Sequence, residues 1–277
     1  MPSSACFAIA RKELAGGLRN RWIWIVSMLL ATSVLVIAFF GTATVGVHGV
    51  HGSGALIASL MNLAVYLVPL LALVMGCGAI IDEKQRGMLD LILVYPVSTG
   101  EYFSGTFLGF ALALTIAIVS GFGISGLVLG LWSGMELGAY VALTFLALIL
   151  GIVFLGLSFL LSLLSRERTR AVVASLFVWI CSVFVFDLVL VGLLVVFGGE
   201  LPSSVFRTIL LLNPTDVFRI LCFKWIGSSA SPLGLSALTP FVPSTLLLAG
   251  VLVAWAVLPL CISYAVFQRR VANDTLI

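Results

Sequence analysis

Apolar residues run through this chain in six long blocks, and short stretches between them hold nearly all of the charge. The blocks cover residues 22–40, 56–81, 103–131, 138–164, 171–197 and 244–267. Each can cross a hydrocarbon layer of ~30 Å, which takes about 20 helical residues. None alternates apolar with polar positions as the strands of a membrane barrel do. Lipid offers no partner to an open backbone, so continuous blocks predict helices. The second and third blocks are long, which predicts tilt or extra turns beyond the membrane.

The stretches outside the blocks carry patterns of their own. Residues 5–21 place Phe7, Ala10, Leu14 and Leu18 at helical spacing among Arg11, Lys12 and Glu13. That predicts a helix lying in the membrane interface before the first span. Residues 82–98, DEKQRGMLDLILVYPVS, interleave acidic, basic and apolar positions. They predict a short amphipathic helix parallel to the membrane, ended by Pro96. Glu83, Arg86 and Asp90 are spaced three and four apart and would share one face. Gly87 would let another backbone approach, and Met88 or Leu89 would fill an apolar pocket. This is the pattern of a docking surface for another protein. Residues 198–243 form the only long loop. Within it Asn213-Pro214-Thr215-Asp216 reads as a helix start: Asn as cap, Pro at the first helical position, an acid in the first turn. Two short helices, 204–212 and 214–226, are expected to dip back against the bundle.

Composition narrows the class. The chain has 277 residues, of which 62% are hydrophobic and 9% charged, and its mean hydropathy is +1.27. A soluble domain is about a quarter charged, so a soluble globule, a disordered chain and a nucleic-acid module are all excluded. The expectation is one all-α polytopic membrane domain over 1–277. Net charge, +3, decides little, but its placement decides more: 11 of the 14 basic residues fall on one side of the bundle, leaving Arg207, Arg219 and Lys224 on the other. The positive-inside rule puts that basic side, and both termini, in the cytoplasm. The first block is read as a retained span, because its core is long and no small-residue cleavage site follows Phe40.

The chemistry of an enzyme is missing from the pattern. The three lysines follow Arg11, Glu83 and Phe223, so none belongs to a phosphate-binding loop. No zinc spacing or nucleophile elbow occurs. The five cysteines are scattered and imply no disulfide framework. His48 and His51 share a glycine-rich outer loop, 41–54, expected to be a flexible connector; two ligands make at most a soft metal clip. Asp187 lies inside the fifth block, where a charge is costly and faces protein or water. A helix contact and a place along a transport route both fit it. A chain of this kind depends on another subunit for energy, and binds no cofactor itself.

These features together resemble the permease of type-2 ABC exporters. In that family the segment after the second span commonly reads Glu-x-x-x-Gly-Thr-Leu, then Leu-Leu-x-x-Pro-Val-Ser-Arg. Glu83, Gly87, Leu89, Pro96, Val97 and Ser98 match, while Met88 replaces the usual Thr and Thr99 the usual Arg. The resemblance covers nearly the whole chain. It is nearest to the branch serving copper-site assembly of nitrous oxide reductase, on the phrase DEKQRGMLDLIL with YPVS and on Asp187 in the fifth span. It implies a second copy of the chain, a cytoplasmic ATPase that holds the ATP, and a periplasmic β-helical protein, with a copper chaperone as a further partner and lipid around the spans. It implies that 82–98 couples to the ATPase. It also implies that the hairpin 204–226, with Asn213, Pro214, Asp216 and Arg219, meets the periplasmic partner. The implied cargo is a sulfur species, or help in copper delivery. A generic exporter of drug, lipid or glycan, a carrier working alone and a non-transporting anchor are the alternatives.

Overall fold

A computed structural model describes residues 3–19, 21–45, 50–87, 98–133, 137–197, 203–226 and 243–272. Every regular element among them is helical. The helices are α1 (Ser3–Arg19), α2 (Arg21–Val45), α3 (Val50–Gly76), α4 (Ile81–Gln85), α5 (Thr99–Ser133), α6 (Leu137–Leu164), α7 (Arg168–Ile180), α8 (Phe186–Val196), α9 (Ser203–Leu211), α10 (Pro214–Ile226) and α11 (Thr245–Ala272). Five stretches are long and apolar enough to cross a membrane by themselves. They are α3 run on through α4, α5, α6, α7 run on through α8, and α11. The pair α1 and α2 passes the same test together, bent by 62°. The chain therefore has the helices of a membrane protein with five to six spans.

Two of the helices make the centre. Two-thirds of the span windows of α3 and α6 is buried inside the protein, against 6% for the fifth span, α7 to α8. α6 packs on α3, α11 and α10, while α5 carries α1 and α2. Aromatic rings fill the end of the core where α5, α6 and α11 meet: Phe103, Phe159 and Phe267 lie within 6 Å of a neighbouring ring centroid. Exposed Leu, Val and Phe cover the outside of α5, α7, α8 and α11. In a water-soluble fold this would be a fault, but against lipid it is the expected surface.

The seam between α5 and its partners comes from small residues. Gly105, Gly109, Ala113, Ala117 and Gly121 recur every four residues and share one face of α5. A Cβ on Gly105 would stand 2.7 Å from the Cys6 carbonyl oxygen, and one on Gly109 2.5 Å from the Glu13 Cβ. A Cβ on Gly121 would stand 2.9 Å from that of Leu30. α1 thus buries Ile9, Ala10 and Glu13 against α5, while Phe7 of the expected apolar stripe is 72% exposed. Of the predicted stripe, Ala10 is buried and Leu14 packs against Ile23, Ala113 and Ala117, so Phe7 is the member that turns away from the bundle.

Three helix ends are set by local chemistry. Ser98 and Glu101 form a reciprocal capping box at the start of α5: the Ser98 N–H donates to Glu101 Oε2 at 2.9 Å and the Glu101 N–H to Ser98 Oγ at 3.2 Å. α3 stops at Gly76, and two serines of α6 bond to the backbone on either side of the break before α4. Ser158 donates to the Leu73 carbonyl at 2.7 Å, and Ser162 accepts from the N–H groups of Ile80 and Ile81, both at 3.2 Å. Residues 181–185 form a π-turn, so the fifth span is α7, a wide turn and α8 rather than one continuous helix.

The first connection is shorter than the glycines suggest. α2 runs to Val45 and α3 starts at Val50, so His51 lies in a helix and not in a flexible loop. Glycine is tolerated in membrane helices, which is why Gly52 and Gly54 do not break α3. His48 lies outside the described residues, and among those described no three potential metal ligands gather.

Candidate functional site: two charge clusters on the fifth span

The first cluster joins the turn after α3 to its neighbours. α4 holds Asp82 and Glu83 in its first turn. Glu83 Oε1 accepts from Lys12 Nζ at 2.6 Å, and its other oxygen accepts from the Tyr102 hydroxyl. Lys12 also reaches Glu13 at 3.2 Å. Burial lowers the Lys12 amine, but the carboxylates of Glu83 and Glu13 outweigh it and hold the group above its ordinary value. Asp82 Oδ2 faces away from α1 and accepts from Arg168 Nη1 of α7 at 2.7 Å. On the same end Arg270 Nη1 donates to the Leu163 carbonyl. The turn is thereby tied to α1, α5 and α7 at once.

This geometry describes part of the expected docking face, Glu83 to Gly87. α4 ends at Gln85, and Gly87 adopts a φ of 66° that a side chain would strain. Arg86 caps the helix from an exposed position. The Glu83 side chain is only 15% exposed and is spent on contacts within the chain. Met88, Leu89 and Asp90, with Pro96, lie outside the described residues.

The second cluster lies towards the other end of the fifth span. Asn213 caps α10 with its Oδ1, which accepts from the Thr215 N–H at 3.2 Å. Its amide donates to the Ser182 carbonyl at 2.8 Å and to Asp216 Oδ2 at 3.0 Å. Thr215 Oγ1 donates to the same Ser182 carbonyl at 3.1 Å. A π-turn widens the backbone and leaves a carbonyl open to such donors. Five residues beyond Ser182, Asp187 meets Arg219: Nη1 donates to both carboxylate oxygens at 2.9 Å, and to Asp216 Oδ1 at 3.2 Å. Beside this contact an open cleft of about 280 Å³ is lined by Cys181, Ser182, Phe186, Asn213, Pro214 and Trp255.

Here too the expectation divides. The helix start is as read, and both short helices fall within a residue of the predicted bounds. The assignment of its residues to an outside partner is not supported by their position. Asn213 is 2% exposed, Asp216 5%, and Pro214 is buried as well. Only Arg219 keeps a small exposed area, 18% of its side chain. They face the bundle because Ser182 and Asp187 supply the partners their polar atoms need. For Asp187 the structure shows a helix contact, with a cation 32 positions away that no local pattern links to it.

The chain, with its five to six candidate spans, matches one family model, ABC-2 family transporter protein, over residues 7–271. The chain belongs to the ABC-2 transporter family. Two full-length relatives agree. One from Stutzerimonas stutzeri is 40% identical over 270 residues, spanning 95% of this chain and 97% of that protein. One from Pseudomonas aeruginosa is 39% identical over 271 residues, spanning 95% and 98%. Each is named "Probable ABC transporter permease protein NosY". As an ABC permease subunit the chain is a transport component, and ATP hydrolysis lies on a partner ATPase.

Proposed function

We propose that this permease is the membrane subunit of the ATP-driven transporter that supports copper-site assembly of nitrous oxide reductase. The observation that carries the reading is identity near 40% to two NosY permeases, sustained over 95% of the chain. Two copies form the membrane part in the bacterial inner membrane, each with six spans and both termini in the cytoplasm. The 11 basic residues on one side favour that orientation. A cytoplasmic ATPase, which holds the ATP, docks on the turn after α3 through exposed Arg86, Gly87 and the segment Met88, Leu89 and Asp90. A periplasmic β-helical partner meets the hairpin on the exposed side of α9, near Arg207 and Leu212, while Asn213, Pro214 and Asp216 brace it from within. The cargo is a sulfur species, or the transporter helps deliver copper.

Deleting the gene in its own host tests this. The reductase should then be exported without its full copper complement, and nitrous oxide should accumulate. Restoring the gene should restore both. A deletion strain whose purified reductase carries its full copper content and spectrum would overturn the reading.

A further inference from the structure

The outer third of the fifth span stands apart from the bundle. α8 makes no extended contact with another helix among the described residues beyond the π-turn at its base. Leu188 is 71% exposed, Val195 74% and Val196 79%. α7, by contrast, is fastened: Arg168 pairs with Asp82, the Trp179 indole donates to the Tyr66 carbonyl at 2.9 Å, and Ala171 and Ser175 are buried. Among the described residues of one copy, the span is therefore a held rod, a wide turn and an arm that no other helix covers. What holds the arm at its base is the Asn213–Thr215 grip on Ser182 and the pair Asp187–Arg219.

That pair has an unusual electrical arrangement. Arg219 meets two carboxylates through one nitrogen, Nη1, and its buried Nε has no partner among the described residues. A guanidinium fixed for good on one acid would present its fork and use two nitrogens. Separating a buried ion pair is ordinarily prohibitive, since it strands a bare charge. Here it is not. If Asp187 leaves, Arg219 stays neutralised by Asp216 on its own helix, three residues earlier. Asp187 is 38% exposed and can take up water or another donor. The second acid makes the first contact cheap to open.

We propose that Asp187 and Arg219 form a latch that opens during the ATP cycle and frees α8 to swing about the π-turn at 181–185. Closure of the partner ATPase acts on the turn after α3. The pair Asp82–Arg168 passes that movement to the foot of α7, and α7, about 20 Å long at 1.5 Å per residue, carries it to the π-turn. Asp216 is the counter-ion that receives Arg219 when the latch opens. The inference rests on the family and on these contacts, and is independent of the cargo.

The test uses the permease assembled with its ATPase in lipid nanodiscs and reads backbone hydrogen exchange in peptides covering 181–187. In the natural protein, trapping the closed ATPase with ATP and vanadate should speed exchange there several-fold. Asp187→Asn should give the fast exchange without nucleotide. Asp216→Asn should do the opposite: it leaves Arg219 dependent on Asp187 and should suppress the nucleotide-driven rise. A static brace predicts that both substitutions loosen the segment alike. That result, or an unchanged exchange rate on trapping in the natural protein, would overturn the latch. If Asp187→Asn does not assemble, Asp216→Asn decides alone, and an undiminished rise on trapping counts against the proposal.

Discussion

Gly109→Val should detach α1 from α5 and leave little of the protein in its assembled form. A Cβ at position 109 would lie 2.5 Å from the Glu13 Cβ and 2.8 Å from the Ala10 carbonyl oxygen. The second of these is backbone, so no rotamer change relieves it. α1 is equally tight one turn away, where Gly105 faces the Cys6 carbonyl, and the helix must move as a unit. Overpacking that side chains can absorb costs about 1–3 kcal/mol; displacing a helix should reach the top of that range. The displacement also pulls Lys12 from Glu83 and uncovers the foot of α5. Gly123→Val is the matched control, on the same helix with nothing within 4 Å of its new Cβ. Size-exclusion profiles and thermal inactivation in detergent should separate the two variants clearly. Equal Tm values would mean that the small-residue face of α5 is not a packing seam.

Glu83→Lys should weaken the permease itself before any effect on the ATPase is reached. The substituted ammonium would sit beside Lys12 and would take the acceptor from the Tyr102 hydroxyl. Lys12 is half exposed, which moderates the penalty relative to a fully buried pair. Breaking a buried pair costs about 3–5 kcal/mol and an exposed one under about 1, so about 2 kcal/mol is expected. The reciprocal change Lys12→Glu, made together with Glu83→Lys, should recover a large part of that loss, since the contact is restored with its signs exchanged. Arg86→Glu should leave stability unchanged and lower co-purification with the ATPase, because Arg86 is exposed and sits at the helix end. Should Glu83→Lys leave the Tm of the isolated permease untouched, with no gain from the swap, Glu83 would be a docking residue after all.

Those two experiments also mark where sequence reasoning stopped. Residues 82–90 were legible as a charged, amphipathic turn, but the sign and spacing of Glu83 say nothing about which way it points. It turns inward because Lys12 lies 71 positions earlier on a helix that packs on α5. The stripe of Gly105, Gly109, Ala113, Ala117 and Gly121 was in plain view as a four-residue repeat of small residues, and so was the Ser98-to-Glu101 capping box. Either would have found its contact in advance. The π-turn had no such signal. Cys181 to Val185 are ordinary span residues, and only the donors of Asn213 and Thr215, placed against Ser182, make the wide turn favourable.

The sequence by itself determined the class of protein, the blocks that cross the membrane and the two short helices of the hairpin. Those follow from local physics: an apolar run must become a helix in lipid, and Asn-Pro-Thr-Asp starts one wherever it occurs. Tertiary structure alone decided what each charged residue is for. Asp82 divides from Glu83 to serve α7 rather than α1, Asp187 gains Arg219, and the buried cap at Asn213 holds the Ser182 carbonyl. Charges in a membrane protein are few and each must find an opposite across the fold. Their roles are therefore set by which helices pack together, and one sequence position does not carry that information.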